Sequence, residues 1–508
     1  MVPLHETVGL LHTWAGHPTE RIRVIFMRAG RAMLVFGLVV TTACERRRQP
    51  ADPQLVAQWL RTSLAFVRSE RLGPPVAARI SAYTAVALYE GYAADSRSSL
   101  RSLAGQLNGL PSLPPLAAGE AVDGATVAAE AERVVADSLF RDGLPSTRRT
   151  IDSLAQAQAV ARTTAGVSAA ERARSLDHGR ALGHAILAWA ATDSFFATRG
   201  RAYPPPSKRQ EWSNTANVSQ FVPQILSGQS DLVQLTNPNL HEDIERATSK
   251  GTFTNRPKPE GATTLPTFNP IKPTEPYWGQ LRTFVLSDGD ACAPPPPPAY
   301  SDVPGSEFWK MGKQFHDTVK SLTPAQKTIA LFWADNPIAT GTPGFHWISV
   351  VNLMVARRQL SAEQAVEVYA LTSLAIADAF IGCWREKYRS NVVRPITYVQ
   401  RVFDKDFQTV IPTPPFPEYT SGHSVQSAAA VEVMIALLGD TVSYIDSTQT
   451  DIGQPPRPFA SLSAALSEIA ISRVYAGVHY FPAVTNGVQQ GQCIGRTVLR
   501  KLSTKKRP

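Results

Sequence analysis

The chain runs to 508 residues, 43% hydrophobic and 18% charged, which is long and apolar enough to bury a large core. Its formal charge of +9 comes from the ends: the first 50 residues hold seven Arg against three Glu, and residues 496–508 hold six Lys or Arg and no acid, leaving about −1 between them, so a nucleic-acid-binding role has little support. The four cysteines, Cys44, Cys292, Cys383 and Cys493, show no paired spacing, which argues against both a zinc cluster and a disulfide framework.

In chain order, Met27 to Met33 supplies a basic start, Leu34 to Val40 a short apolar run, and Thr41–Thr42–Ala43 small residues before Cys44. That is the pattern of a secretory signal ending in a lipobox-like site. It makes residues 1–44 a signal and lipoprotein segment, with 1–26 an upstream mis-start, and predicts an exported bacterial protein, periplasmic or on the outer membrane, with a lipid anchor at Cys44. No later apolar run approaches 18 residues, so no membrane-spanning helix is expected.

From Pro53 to about Asp95 apolar residues recur at helical spacing, first Leu55, Trp59, Leu60, Leu64 and Phe66, then Val76, Ile80, Tyr83, Val86 and Leu88. Further helices are expected at 120–142, 146–163 and 168–195, which together predict an N-terminal bundle over residues 45–200. Residues 201–304 change character, with Pro204–Pro205–Pro206 and the run Pro294 to Pro298. Proline fixes φ and removes a donor, so this stretch is expected as an irregular connection, loosest at 230–270. Helix returns at Ser306. Thr323–Pro324–Ala325–Gln326 and Ser361–Ala362–Glu363–Gln364 each pair a cap hydroxyl with a reciprocal amide, and the second opens a long helix reaching Trp384 and Lys387. Final helices are expected at 424–438, 460–475 and 484–501. The expected fold is all-α, two packed helical bundles, with the active site in the core of the C-terminal bundle, residues 305–508.

Three clusters in that C-terminal part carry chemistry: Lys387 with Arg394–Pro395, Ser421–Gly422–His423, and Ser472–Arg473 with His479. None contains Asp or Glu, so a hard divalent cation held by carboxylates is not expected, and the cations point to a highly charged oxoanion. On one helix, Lys387 and Arg394 would share a face roughly 10 Å apart along the axis, with Pro395 closing the helix. Ser421 to His423 stand at a helix N-terminus, where unpaired N–H groups and the positive end of the dipole favour an anion. Arg473 and His479 lie about 240° apart on a continuous helix, so they meet one centre only if the helix breaks, and Gly477 supplies the break.

The ordered set Lys-x6-Arg-Pro, Ser-Gly-His and Ser-Arg-x5-His resembles the superfamily of vanadium-dependent haloperoxidases and type 2 phosphatidic acid phosphatases. Trp384 and Phe416 stand where chloroperoxidase-like members carry aromatics beside the halide path. Phe332–Trp333–Ala334–Asp335, Pro343–Gly344–Phe345–His346–Trp347 and Pro276–Tyr277–Trp278–Gly279 look like bacterial members, so the resemblance covers residues 275–497. Two positions depart from the pattern. Thr420 replaces the proline that usually opens the second motif. Ala483 replaces the Asp that usually follows the last His by four and orients its ring, which leaves a backbone carbonyl, Asn486 or a water in that role, or a lower affinity and rate.

The resemblance implies an enzyme that uses vanadate to oxidise a halide with hydrogen peroxide to hypohalous acid, which then halogenates a small organic acceptor. His479 would be the metal ligand and, with His423 and Lys387, catalytic. Lys387, Arg394, Ser421, Gly422 and Arg473 would bind the oxoanion, with Asp335 pairing one of the arginines, and phosphate would compete for the same cage. The alternative implied by the superfamily is a vanadate-inhibited acid phosphatase working through a phosphohistidine at His479. A second alternative, resting on Ala483, is a catalytically impaired, lipid-anchored oxoanion-binding protein. The lipid phosphatases of the superfamily are usually multi-spanning and its haloperoxidases soluble, so the absence of a spanning run favours the latter.

Overall fold

Helix-start chemistry locates most of the elements. The computed structural model describes residues 48–199, 201–216, 268–270, 272–337 and 340–506; the signal-like segment, Cys44 and nearly all of the 230–270 stretch lie outside them. The first bundle comprises α1 (Gln54–Ser69), α2 (Pro74–Ala93), α3 (Gly124–Leu139), α4 (Pro145–Thr164), α5 (Ala169–Ala190) and the short α6 (Phe195–Thr198). Proline opens α2 and α4, while Asp123 and Ser168 cap α3 and α5 through their side chains.

The second bundle comprises α7 (Glu307–Lys320), α8 (Pro324–Phe332), α9 (Thr342–Arg357), α10 (Ala362–Ser390), α11 (Pro395–Val402), α12 (Gly422–Leu438), α13 (Leu462–Tyr475) and α14 (Phe481–Lys501). Both capping boxes predicted from the sequence form, at Thr323 with Gln326 and at Ser361 with Gln364. Helix α10 is long and apolar enough to cross a membrane, contrary to the expectation that no such run exists, but its apolar window is wholly buried within the protein. It is the central core helix, packed between α2 of the first bundle and α12 of the second. One apolar core therefore runs through both bundles, from Trp59, Tyr83 and Val86 to Tyr369, Val425 and Val498. Close approach makes the second bundle tight: a Cβ at Gly491 of α14 would lie 2.0 Å from the Val425 carbonyl oxygen of α12.

A two-stranded antiparallel hairpin, β1 (Tyr444–Asp446) with β2 (Arg457–Phe459), interrupts the otherwise helical second half and pairs Tyr444 with Phe459. Three residues per strand carry too little alternation to stand out as a sequence signal. The segment 272–304 is irregular apart from a 3₁₀ turn at Trp278–Gln280, yet it is firmly fastened. Buried Asp378 of α10 accepts from the N–H groups of Phe284, Val285 and Leu286 at 2.6, 2.8 and 2.9 Å. A disulfide joins Cys292 of this segment to Cys493 of α14, 201 residues away, which overturns the expectation of no disulfide; spacing along the chain says nothing about a pairing made by tertiary contact. Cys383 is buried and reduced.

Candidate active site

Convergence begins where α10 ends. Asn391 takes the left-handed conformation (φ 48°) as its C-cap, so Lys387 and Arg394 do not share a helix face as expected. Arg394 instead stands just before α11, and Pro395 opens that helix rather than closing α10. The turn, not helical periodicity, brings the two cations together. Ser421 caps α12, accepting from the Ser424 N–H at 3.3 Å and leaving its own hydroxyl proton to donate. Its backbone N–H donates to the Ala483 carbonyl at 3.0 Å, tying the start of α12 to the start of α14. Gly477 adopts φ 83° just after α13, which is the predicted break, and His479 follows in the turn before α14.

These groups are buried. Lys387, Arg394 and Ser421 have no exposure, Arg473 has 1% and His479 2%. Lys387 Nζ donates to the carbonyls of Pro417, Glu418 and Thr420 at 3.0, 3.0 and 2.5 Å, so the lysine binds the loop that leads into α12. Arg394 donates to the carbonyls of Phe416 (2.7 Å) and Val478 (2.8 Å) and lies 3.3 Å from His479 Nε2. Arg473 donates to the Trp333 carbonyl at 2.8 Å. Three nitrogens remain buried without a partner: Arg394 Nη2, Arg473 Nε and His423 Nε2. Leaving a buried donor unpaired costs about 1–3 kcal/mol, so an oxoanion, which offers only acceptors, fits this set.

Electrostatics agrees. Burial, with Arg394 adding to it, pulls the Lys387 ammonium down to about 7. Burial also lowers Arg394 to about 9 and Arg473 to about 10, the charge of Asp335 opposing the latter shift. His479 is held well below the usual imidazole range by burial and then by Arg394, Lys387, Arg473 and His423, so it is neutral and lies within reach of all four. His423 is pushed the same way by burial, Arg473, His346 and Lys387. Lys387, Arg394, Arg473, His423 and His479 are thus close enough to act on one another's charge.

Its access is narrower than the cluster. A cleft of about 470 Å³ is lined by Pro74, Pro343, Pro412, Pro414, Phe416 and His423 among others, with Asp335 and Asn336 beside them. Of the predicted residues, His423, Phe416 and Asp335 line it, and Lys387, Arg394 and Arg473 do not. Nor does Trp384: it packs at a tilt against Phe416 with ring centroids 4.9 Å apart and donates Nε1–H to the Thr274 carbonyl at 3.0 Å.

Two features escaped the sequence reading. Glu418 lies with Oε1 3.0 Å from His479 Nδ1, so the carboxylate absent at position 483 comes from the second motif instead. Asn486, one of the expected substitutes, donates to the Tyr419 hydroxyl at 2.9 Å. The signal was the acid three residues before Ser421, but where it points depends on the turn between them. The second is a buried chain of acids around His346. The Asp335 oxygens receive His346 Nδ1 at 2.9 Å and Gln449 Nε2 at 2.6 Å, Asp446 holds His346 Nε2 at 2.8 Å, and Asp335 Oδ2 lies 3.9 Å from His423 Nε2. Asp335 therefore acts on Arg473 through its charge, while its oxygens serve His346 and Gln449.

The model of the VCPO second helical-bundle domain matches residues 367–406 and 400–506, which contain all three clusters. A crystal structure described as the first bacterial vanadium-dependent iodoperoxidase superposes with a TM-score of 0.72 at 30% identity, covering 91% of this chain and 99% of that one. Holo and apo forms of a bacterial vanadium-dependent chloroperoxidase give TM-scores of 0.56 and 0.55 at 15% and 14% identity, each covering 85% of this chain and 94% and 95% of theirs, which shows a shared fold. No curated protein matches the sequence. With the iodoperoxidase likeness spanning nearly the whole of both chains, this chain belongs to the vanadium-dependent haloperoxidase superfamily.

Proposed function

We propose that the protein is a vanadium-dependent haloperoxidase that oxidises halide with hydrogen peroxide to hypohalous acid. The observation that carries the reading is a neutral imidazole, His479, set among three buried cations, two of which, Arg394 and Arg473, keep a partnerless N–H group that calls for an oxoanion. The 30% identity to an iodoperoxidase over 99% of that chain supports it and makes iodide the first halide to try. Bound vanadate supplies a pentavalent Lewis-acidic centre that activates peroxide toward halide without changing oxidation state.

The chain's own residues do the rest. His479 would hold the metal through Nε2, the nitrogen facing Arg394. Arg394 Nη2 and Arg473 Nε would neutralise the oxoanion, and the Ser421 hydroxyl and Gly422 N–H would be its donors at the helix terminus. His423, neutral and open to the cleft, moves protons at Nε2. Lys387 keeps the 417–420 loop in place and adds positive charge. Phe416 forms the apolar side of the halide path with Trp384 packed against it from outside the cleft, and the organic acceptor meets hypohalous acid at the proline-lined mouth. The Cys292–Cys493 disulfide supports export to an oxidising compartment, in keeping with a lipid anchor at Cys44.

The decisive assay gives purified protein, from Glu45 onward, peroxide with iodide, bromide or chloride and added orthovanadate, beside a phosphate-ester assay. Vanadate-dependent halogenation that disappears in His479→Ala is the expected result. Ester hydrolysis inhibited by vanadate would select the phosphatase alternative.

A further inference from the structure

His479 shows its tautomer through its neighbours. Its Nε2 lies 3.3 Å from Arg394 Nη1, and a guanidinium carries donors only, so this nitrogen accepts and bears no proton. On the other side of the ring, Glu418 Oε1 lies 3.0 Å from Nδ1, and a carboxylate oxygen accepts, so the ring proton sits on Nδ1. Both side chains are buried, at 2% and 1% residual exposure, which leaves little room for water to compete.

Glu418 is itself held from three sides. The Tyr480 N–H donates to the same Oε1 at 3.0 Å, the Glu418 carbonyl accepts from Lys387 Nζ at 3.0 Å, and its N–H donates to the Val392 carbonyl at 3.1 Å. The obvious rival position, one turn into α14, offers only the methyl of Ala483, packed in the apolar cluster with Phe308, Phe315 and Tyr480. The carboxylate therefore arrives on the loop that also ends in Ser421 and Gly422.

We propose that Glu418 is the positioning residue for His479: its carboxylate holds the proton at Nδ1 and so keeps Nε2 bare toward the oxoanion site. Ring orientation and the helix-terminal donors then rest on one segment, residues 416–423, with Lys387 as its brace. The proposal rests on the reading of His479 as the anion-facing ligand.

The test reads ¹⁵N chemical shifts of labelled histidine in the anion-free full chain, with His479 assigned by loss of its signals in His479→Ala, together with inorganic phosphate affinity by calorimetry. The wild-type ring is expected as the Nδ1–H tautomer. Glu418→Gln keeps an acceptor and should retain that tautomer. Glu418→Ala should lose it and weaken phosphate binding about 10- to 100-fold, and adding Ala483→Asp in that background should recover both. An Nε2–H or doubly protonated ring in the wild type overturns the proposal without any variant. So does an unchanged tautomer in Glu418→Ala, or failure of the folded double variant to recover it. Tautomer and phosphate affinity are read without halide chemistry, so a protein inactive in the peroxide assay leaves this inference standing, and its failure leaves that assay untouched.

Discussion

Asp335 and His346 meet at 2.9 Å between Oδ1 and Nδ1, fully buried, and the far nitrogen of the same ring meets Asp446 at 2.8 Å. A ring with a carboxylate at each nitrogen carries both protons. Burial works against that charge, but Asp335 and Asp446 outweigh it and raise the group to about 10. The hairpin that delivers Asp446 thus supports Asp335, which in turn lies beside His423.

Replacing His346 by Ala is expected to cost about 3–5 kcal/mol, because it leaves two buried carboxylates without their shared cation. The sign with pH follows from the raised value. An imidazolium favoured by folding contributes stability fully below its unfolded value of 6.5, and the contribution fades as pH rises toward about 10. Urea unfolding of the wild type from pH 6 to 10 should show this decline, and Asp446→Asn should flatten it.

Glu132 of α3 is fully buried with neither carboxylate oxygen partnered, and burial raises it to about 8. The folded chain therefore keeps a proton that the unfolded chain releases near 4.5. This side chain costs stability increasingly between about pH 4.5 and 8. Glu132→Gln should raise the melting temperature at pH 8 and leave it nearly unchanged at pH 4.5, measured by calorimetry at both.

The Cys292–Cys493 bond closes a loop of about 200 residues and clasps the 272–304 segment to α14. Cys493→Ser, or reduction, should destabilise the protein by about 2–4 kcal/mol. Thermal melts with and without reductant test this, and the Ser variant should lose its sensitivity to reductant.

Arg394 Nη2 and Arg473 Nε are the unpaired donors of the cage. A charge-assisted hydrogen bond contributes about 1.5–3 kcal/mol, so Arg473→Met should weaken phosphate and orthovanadate binding at least tenfold. The two anions should displace one another in competition calorimetry; independent binding would contradict a single cage.

Most of the helices, both capping boxes and the basic residues of the cage were legible because each depends on neighbours within a few positions. Thr323 and Gln326, Ser361 and Gln364, Ser421 at the start of α12 and the break at Gly477 all follow local rules. The shared helix face of Lys387 and Arg394 failed because Asn391 ended the helix between them, a choice that periodicity does not see.

By itself the sequence determined which residue types are available and where helices begin: three cations, two histidines and a capped small-residue helix suited to an anion. Only the tertiary structure decided which groups face one another. Glu418 reaches His479 across 61 residues, Cys292 reaches Cys493 across 201, and Asp446 reaches His346 across 100. Such partners are selected by packing of distant segments and by the direction of single turns, and neither leaves a period or a spacing in the chain.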